Sequence, residues 1–178
     1  MTKLLVLSDS HGGRAAIERV LMKESKSIDA LIFLGDGLRD LELALTLCPK
    51  LRAYSVAGNC DYGALEPTDG LAAFDGVVIF YTHGHMYGVK YDLDTLADAA
   101  SARGAEVALF GHTHGGQISF FGKSPFFNLK TDVGPRYMSG WLEENRAAVL
   151  ISNGVGTSGA PVRLFARPQI HLITLKSR

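Results

Sequence analysis

The chain opens with KLLVLSDSH (residues 3–11), an apolar run that stops abruptly at acidic, hydroxyl and histidine residues. A short run of Leu and Val of this kind predicts a buried strand at residues 3–8. Similar runs follow at residues 30–34 and 52–57, and apolar residues at helical spacing fill 15–24 and 38–47 between them. Buried strands that alternate with helices predict a parallel sheet covered on both faces.

Beyond residue 70 the pattern becomes richer in strands. A hairpin is predicted around Gly76, a helix at residues 92–103, and an irregular stretch at 122–141, which is long enough to suggest a functional loop. The predicted strands of this part lie at residues 72–75, 77–81, 106–110, 117–121, 147–152 and 171–176. Together the two parts predict an α/β fold with two sheets flanked by helices.

Composition restricts the classes of protein that fit. The 178 residues carry 18 Lys and Arg against 18 Asp and Glu, so there is no strong nucleic-acid signal in the net charge. Cys48 and Cys60 are too few for a disulfide framework and too far apart for a CxxC site. With no transmembrane segment and no linker evident in the sequence, we expect a single domain over residues 1–178, located in the cytoplasm.

Polar residues follow five of the predicted strands directly, where the carboxyl ends of parallel strands collect ligands. Five of the six histidines lie at these ends, together with two carboxylates and an amide. Imidazole and carboxylate groups are metal ligands, and this number exceeds one tetrahedral site. The candidate residues are Asp9, His11, Asp36, Asn59, His83, His85, His112 and His114. They suit two adjacent divalent ions with Asp36 between them, most simply Mn²⁺, with Fe, Zn²⁺, Ni²⁺ or Co²⁺ as alternatives.

Two adjacent ions clamp the attacking and leaving oxygens of an in-line displacement, which phosphate-ester hydrolysis requires. The ordered motifs DSH (9–11), GD (35–36), GNCD (58–61), HGH (83–85) and GHTH (111–114) resemble those of the calcineurin-like metallophosphoesterases. The resemblance implies a four-layer αββα sandwich of two mixed sheets. It also implies one ion on Asp9, His11, Asp36 and His114 and a second on Asp36, Asn59, His83 and His112, with a bridging hydroxide that attacks phosphorus. Asn59 would also contact the substrate phosphate.

Cys60 stands where many members of that family have a histidine that assists the leaving group. The small bacterial and archaeal phosphodiesterase branch shares this departure, which implies phosphodiesters with good leaving groups. His85 is then the candidate acid. The resemblance to this branch covers residues 1–110, whereas residues 111–178 resemble a second, often membrane-associated branch that includes enzymes acting on lipid-linked diphosphates. An unusual natural lineage and a recombined chain would both give this combination, and the substrate is expected to be a small-molecule or lipid-linked phosphodiester.

Several other residues have two interpretations. Gly154 and Gly156 lie in a Gly-rich stretch that would either approach the substrate phosphate or connect strands tightly. Arg136 and Arg163 would either neutralise a substrate phosphate or lie on the surface, and we expect the surface position. Asp40 is also expected to be a surface charge. Asp61 is expected to support a ligand rather than bind metal. Residues Phe120, Phe121, Phe126 and Phe127 would line an apolar rim or, more commonly, the core.

Two other functions remain open from the sequence. One is a protein-binding scaffold that kept the fold and lost turnover, as the retromer scaffold subunit that resembles this family does. The other is a hydrolase of another bond with a single metal ion. Aromatic residues of the second half would also suit a homodimer face.

Overall fold

The computed structural model describes residues 1–114, 140–144, 147–159, 162–164 and 166–176. Three helices and nine strands lie in this part of the chain, with a short 3-10 helix at His85–Tyr87. In chain order they are β1 Thr2–Leu7, α1 Arg14–Glu24, β2 Ala30–Phe33, α2 Leu38–Leu45, β3 Arg52–Ser55, β4 Asp69–Phe74, β5 Val77–Thr82, α3 Asp94–Ala102, β6 Val107–Phe110, β7 Gly140–Glu144, β8 Ala147–Ile151 and β9 His171–Leu175.

The strands form two mixed sheets. The first has the order β3-β2-β1-β9, in which β1, β2 and β3 are parallel and β9 runs antiparallel to β1. The second has the order β4-β5-β6-β8-β7, in which the three central strands are parallel and the two outer strands are antiparallel to their neighbours. Each sheet therefore brings the carboxyl ends of three parallel strands to one edge.

Successive side chains of a strand point to opposite faces of the sheet, and this alternation explains the layers. In β1, Leu4 and Val6 face the second sheet, whereas Leu5 and Leu7 face α1 and α2. Residues of α3 cover the opposite face of the second sheet, where Leu96 and Ala100 pack with Phe80 and Phe110. The order helices, sheet, sheet, helix confirms the predicted four-layer αββα sandwich.

Most boundaries agree with the sequence pattern, and two differ. β4 begins at Asp69 rather than residue 72, because Asp69 and Gly70 pair with β5 although they lack an apolar pattern. β7 begins at Gly140, near the end of the stretch 122–141 that was predicted to be irregular. This segment is a strand because it pairs with β8. The predicted strand at 117–121 lies outside the described residues. So do Phe120, Phe121, Phe126 and Phe127, which were predicted to line an apolar rim or the core. Within the described ranges, no helix is both long and apolar enough to cross a bilayer.

Candidate metal centre

The loops after β1, β2 and β6 hold the backbone in an unusual conformation where the predicted ligands lie. Five of those ligands have positive φ angles, which non-glycine residues rarely adopt. They are Asp9 (52°), His11 (44°), Asp36 (56°), His112 (68°) and His114 (52°). Among the described residues only Asp75, in the turn between β4 and β5, shares this conformation without being glycine. Backbone strain is therefore concentrated at the predicted site.

His83 lies at the centre of one group of donor atoms. Its Nδ1–H donates to the carbonyl oxygen of Leu34 (2.7 Å), which leaves Nε2 for another partner. Nε2 lies 3.2 Å from Asn59 Oδ1 and 3.1 Å from His112 Nδ1. It also lies 3.4 Å from Asp36 Oδ2. These atoms can all contribute lone pairs to a cation, so the group fits a metal ion.

Asp9 lies at the centre of the second group of donor atoms. Its side chain is fully buried, and Oδ1 has no hydrogen-bond partner although His114 Nε2 lies 3.2 Å away. His11 Nε2 lies 3.0 Å from the same His114 nitrogen. A buried carboxylate oxygen without a donor costs about 1–3 kcal/mol, and a bound cation would remove that cost. This group therefore also fits a metal ion.

Asp36 lies between the two groups. Its Oδ2 is 3.5 Å from His11 Nε2 on one side and 3.4 Å from His83 Nε2 on the other. Its Oδ1 accepts the N–H of Cys60 at 2.7 Å. A Cβ at Gly58 would lie 2.1 Å from Asp36 Oδ1, so only glycine leaves room for this carboxylate. The structure thus brings all seven predicted metal ligands together, with Asp36 between the two groups.

The charges of these groups suit a cation. Burial raises the pKa of Asp36, but contacts with His83 and with the amide of Cys60 outweigh it and hold the pKa well below its usual range. Burial lowers the pKa of His112 to about 3 and that of His114 to about 4. Above pH 5 these residues are a carboxylate and two neutral imidazoles, the forms that bind metal.

Two further carboxylates fix the ligand loops. Asp61 accepts the backbone N–H groups of four residues at 2.7 to 2.9 Å, namely Asp36, Gly37, Leu38 and Gly58. It thereby joins the loops that carry Asp36 and Asn59. Asp40 accepts Ser10 Oγ–H (2.6 Å) and the N–H of Gly12 (2.8 Å). The expectation that Asp40 is a surface charge was wrong, because it fixes the loop after β1.

Arg163 is another correction, since it is not a solvated surface residue. Its guanidinium donates to backbone carbonyls of Gly156 (2.7 Å), Asn153 (2.6 Å) and Ala166 (3.0 Å). One of its nitrogens also lies 3.3 Å from His114 Nδ1. Arg136, which was weighed with it, lies outside the described residues.

Gly154 and Gly156 pack beneath the loop after β1. The N–H of Gly156 donates to the carbonyl of Asp9 at 2.8 Å. A Cβ at Gly154 would lie 2.6 Å from Asp9 Cβ, and one at Gly156 would lie 2.0 Å from the carbonyl oxygen of Ser10. The two glycines thus allow a close approach of backbone to backbone, and their contact with substrate stays a prediction.

His85 and Lys90 lie beside the His83 group. The ring centroid of His85 is 5.4 Å from that of His83 and 6.1 Å from that of His112. Lys90 is half-buried; burial lowers its pKa, and the charges of Asp9 and Asp36 oppose that effect. The sequence analysis missed Lys90, because a lysine within a loop carries no pattern that marks it.

Comparisons with known proteins agree with this geometry. The model of a family described as "Calcineurin-like phosphoesterase superfamily domain" matches residues 2–129. The chain is 34% identical over 112 residues to the "Probable metallophosphoesterase YsnB" of Bacillus subtilis (strain 168), a match that spans 62% of this chain and 63% of that protein. The matches span less than two thirds of each of the curated relatives, from 63% down to 23% of their length.

Two solved structures share the fold. One is a predicted phosphoesterase from Streptococcus pneumoniae TIGR4, with a TM-score of 0.66 and 21% identity over 91% of this chain and 78% of that one. The other is wild-type Vps29 from Entamoeba histolytica in complex with Zn²⁺, with a TM-score of 0.65 and 16% identity over 98% of this chain and 87% of that one. At these identities the likeness concerns the fold alone.

Proposed function

Because the chain belongs to the calcineurin-like phosphoesterase superfamily, we propose that it is a phosphodiesterase that works with two divalent metal ions. The observation that carries this proposal is the position of Asp36. Its Oδ2 lies at nearly equal distances from His11 and His83, each of which belongs to a separate group of donor atoms. A carboxylate so placed would belong to both ion sites, with Asp9, His11 and His114 on one side and Asn59, His83 and His112 on the other.

Two such ions, when bound, neutralise phosphate charge and lower the pKa of the water that attacks phosphorus. The oxygen and nitrogen donors of the predicted set suit Mn²⁺, with Zn²⁺ as the main competitor. The Zn²⁺ complex of the structurally similar Vps29 supports zinc as that competitor. Either ion needs the neutral imidazoles and the charged carboxylate described above.

The protein's own residues would bind and orient the substrate. Asn59 presents its amide beside both His83 and Cys60, where it would contact a phosphate oxygen. Lys90, in the loop after His85, lies close enough to Asp9 and Asp36 for their charges to raise its pKa against the effect of burial, so its ammonium would neutralise a second phosphate oxygen. His85 would donate a proton to the leaving group, and Gly154 and Gly156 would lie at the rim of the substrate pocket.

Cys60 supports phosphodiesters with good leaving groups as the substrate class. Burial and the charge of Asp36 raise the pKa of its thiol to about 11. A thiol with this pKa is a poor general acid near pH 7, because efficient proton donors have a pKa near the working pH. The substrate would therefore be a small-molecule or lipid-linked diester whose leaving group needs little help.

Hydrolysis of an activated aryl phosphodiester tests this proposal. The protein is stripped of metal, reloaded with Mn²⁺ and compared with Asp36→Asn, with Asp98→Asn on the exposed face of α3 as the matched control. We expect metal-dependent turnover that Asp36→Asn loses and the control keeps. Turnover that needs no metal, or that Asp36→Asn retains, would overturn the proposal.

A protein-binding scaffold is the second candidate. The large exposed side chains of Tyr62 and Leu65, directly after the loop that carries Asn59 and Asp61, favour it. The structural likeness to Vps29 is compatible with it at the level of the fold. Partner binding that survives metal removal, in a chain without turnover, would support the scaffold over the enzyme.

A further inference from the structure

We propose that Cys60 is itself a metal ligand, with its sulfur bound to the ion that Asp36 and His11 hold. The proposal rests on the metal centre proposed above and deepens it. The sequence predicts oxygen and nitrogen ligands only, with Cys60 in the place of a histidine near the leaving group. The structure places the thiol differently.

The distances carry this inference. Cys60 Sγ and the ligand atoms of His11 and Asp36 all lie within 4.8 Å of one another. Two ligand atoms on one ion lie at most about 4.3 Å apart, since zinc–sulfur and zinc–nitrogen bonds are about 2.3 and 2.0 Å long. One ion can therefore contact all three side chains after side-chain shifts of about half an ångström, with the backbone left in place.

The backbone also fixes Cys60 at this position. Its N–H donates to Asp36 Oδ1 at 2.7 Å, so the cysteine is tied to the carboxylate that it would share an ion with. The preceding Gly58 is held by Asp61, which binds the loop of Asp36 as well. Cys60 thus belongs to the same rigid unit as the bridging ligand.

The sulfur itself is presented as an acceptor. Asn59 Nδ2–H donates to Cys60 Sγ at 3.2 Å, so the sulfur accepts a hydrogen bond beside the predicted ligand Asn59. The residue is exposed, so an ion and a solvent molecule can both reach it. Asn59 would then serve both ions, since its Oδ1 belongs to the His83 group and its Nδ2 supports the sulfur.

A sulfur ligand changes the expected choice of metal. Metal binding would release the thiol proton to solvent, and the resulting thiolate is a soft ligand that selects Zn²⁺ and disfavours Mn²⁺, whereas carboxylate and imidazole alone accept either. We therefore expect the ion beside Cys60 to be Zn²⁺ when both metals are offered. Replacement of the sulfur with oxygen should lower Zn²⁺ affinity about tenfold or more, a size comparable to the loss of a residue that supports a ligand.

Cobalt provides a test that does not depend on turnover. The stripped full chain is loaded with Co²⁺, bound metal is counted, and the near-ultraviolet charge-transfer band of a sulfur–cobalt bond is recorded. Cys60→Ser should abolish the band and keep the bound cobalt, whereas Cys48→Ser, three residues beyond α2, should keep both. Two bound ions with no band, or a band that survives Cys60→Ser, would overturn the proposal.

Alkylation with iodoacetamide gives a second readout. Bound Zn²⁺ should protect Cys60 from alkylation and leave the rate at Cys48 unchanged, as measured on the separate peptides by mass spectrometry. Equal rates at Cys60 with and without two bound zinc ions would overturn the proposal. Two bound ions without protection of Cys60 would overturn this inference alone, whereas fewer than two bound ions would overturn the two-metal function on which it rests, so the two failures are distinguishable.

Discussion

At the scale of single residues, Arg163 shows how a charge far along the chain supports a metal ligand. Its guanidinium joins the loop after β8 to His114 through backbone carbonyls. Because lysine cannot reproduce this fork of donors, Arg163→Lys should lower the free energy of unfolding by about 2–4 kcal/mol. It should also weaken metal binding at His114. Chemical denaturation and metal titration measure both effects, with the exposed Arg167→Lys as a control that should change neither.

Lys90 is predicted to bind the substrate phosphate. Lys90→Met should raise KM for a phosphodiester about tenfold and leave metal stoichiometry unchanged, because one charge contact of about 1.4 kcal/mol is lost. Lys90→Arg should restore most of the affinity. Steady-state kinetics and metal analysis would check this, and an unchanged KM in Lys90→Met would place the lysine outside the substrate site.

His85 is predicted to assist departure of the leaving group. His85→Gln should slow hydrolysis of alkyl phosphodiesters about 10²–10⁴-fold, the usual contribution of a general acid. Aryl diesters need little protonation, so their hydrolysis should change much less. Rates for a series of leaving groups would measure the difference, and an equal loss across the series would exclude the acid role.

At the scale of elements, the start of α2 depends on a residue that lies outside it. Asp61 accepts the N–H groups of Gly37 and Leu38, which no residue within the helix can satisfy, and also that of Asp36. Asp61→Asn removes the charge and turns one acceptor into a donor. We expect a loss of about 2–3 kcal/mol in stability, since charged hydrogen bonds are lost.

Metal affinity should fall along with stability in Asp61→Asn, because the loops of Asp36 and Asn59 lose their common partner. Calorimetric titration with Mn²⁺ and denaturation would measure the two effects. Asp98→Asn in α3 serves as the control with the same chemical change. A variant with normal metal affinity would show that the loops keep their positions without Asp61.

The elements that the sequence could predict are those with strong local patterns. β1, β2 and β6 are short apolar runs, and the polar residues that follow them include the predicted ligands that the structure brings together. The parallel arrangement then follows from the alternation with helices. β7 carries no such pattern, since GWLEE becomes a strand through pairing with β8.

The supporting contacts could not be predicted for a related reason. Arg163 contacts His114 across 49 positions of the chain, and Asp61 contacts Asp36 across 25. Neither sequence separation leaves a periodic signal, because each contact exists only after the strands that precede the two loops have joined the same sheet. Lys90 lies in a loop that likewise has no periodic pattern, and the charges of Asp9 and Asp36 act on it although they lie far from it in the sequence.

At the scale of the whole molecule, β9 makes stability depend on pH. Burial lowers the pKa of His171, and Nε2 of this residue has no hydrogen-bond partner among the described residues. The folded pKa is below the unfolded value of about 6.5, so the unfolded chain binds the proton more tightly. This contribution to stability is complete at high pH and is lost as the pH falls below that value.

His171→Gln should therefore lose less stability than the natural sequence between pH 7 and pH 5. The difference in slope is at most about 1.4 kcal/mol per pH unit, the limit for one proton. Denaturation curves of the metal-free proteins across this range would measure it. Parallel losses in the two proteins would show that His171 does not set the pH dependence.

Some expectations about the whole molecule stay predictions. They are the single domain over residues 1–178, the cytoplasmic location, the homodimer and the membrane-associated character of the branch that residues 111–178 resemble. The family model covers residues 2–129, so it agrees with the motifs and does not reach the end of the chain.

The left-handed backbone at five of the ligands has an evolutionary consequence. Each of these positions would be more stable with glycine, by about 1 kcal/mol or more where an Asp or His is now strained. In a lineage without selection for metal binding, substitution by glycine could therefore stabilise the fold at Asp9, His11, Asp36, His112 or His114. This chain has made none of those exchanges. The retained strain is what continued selection for the metal centre would leave behind.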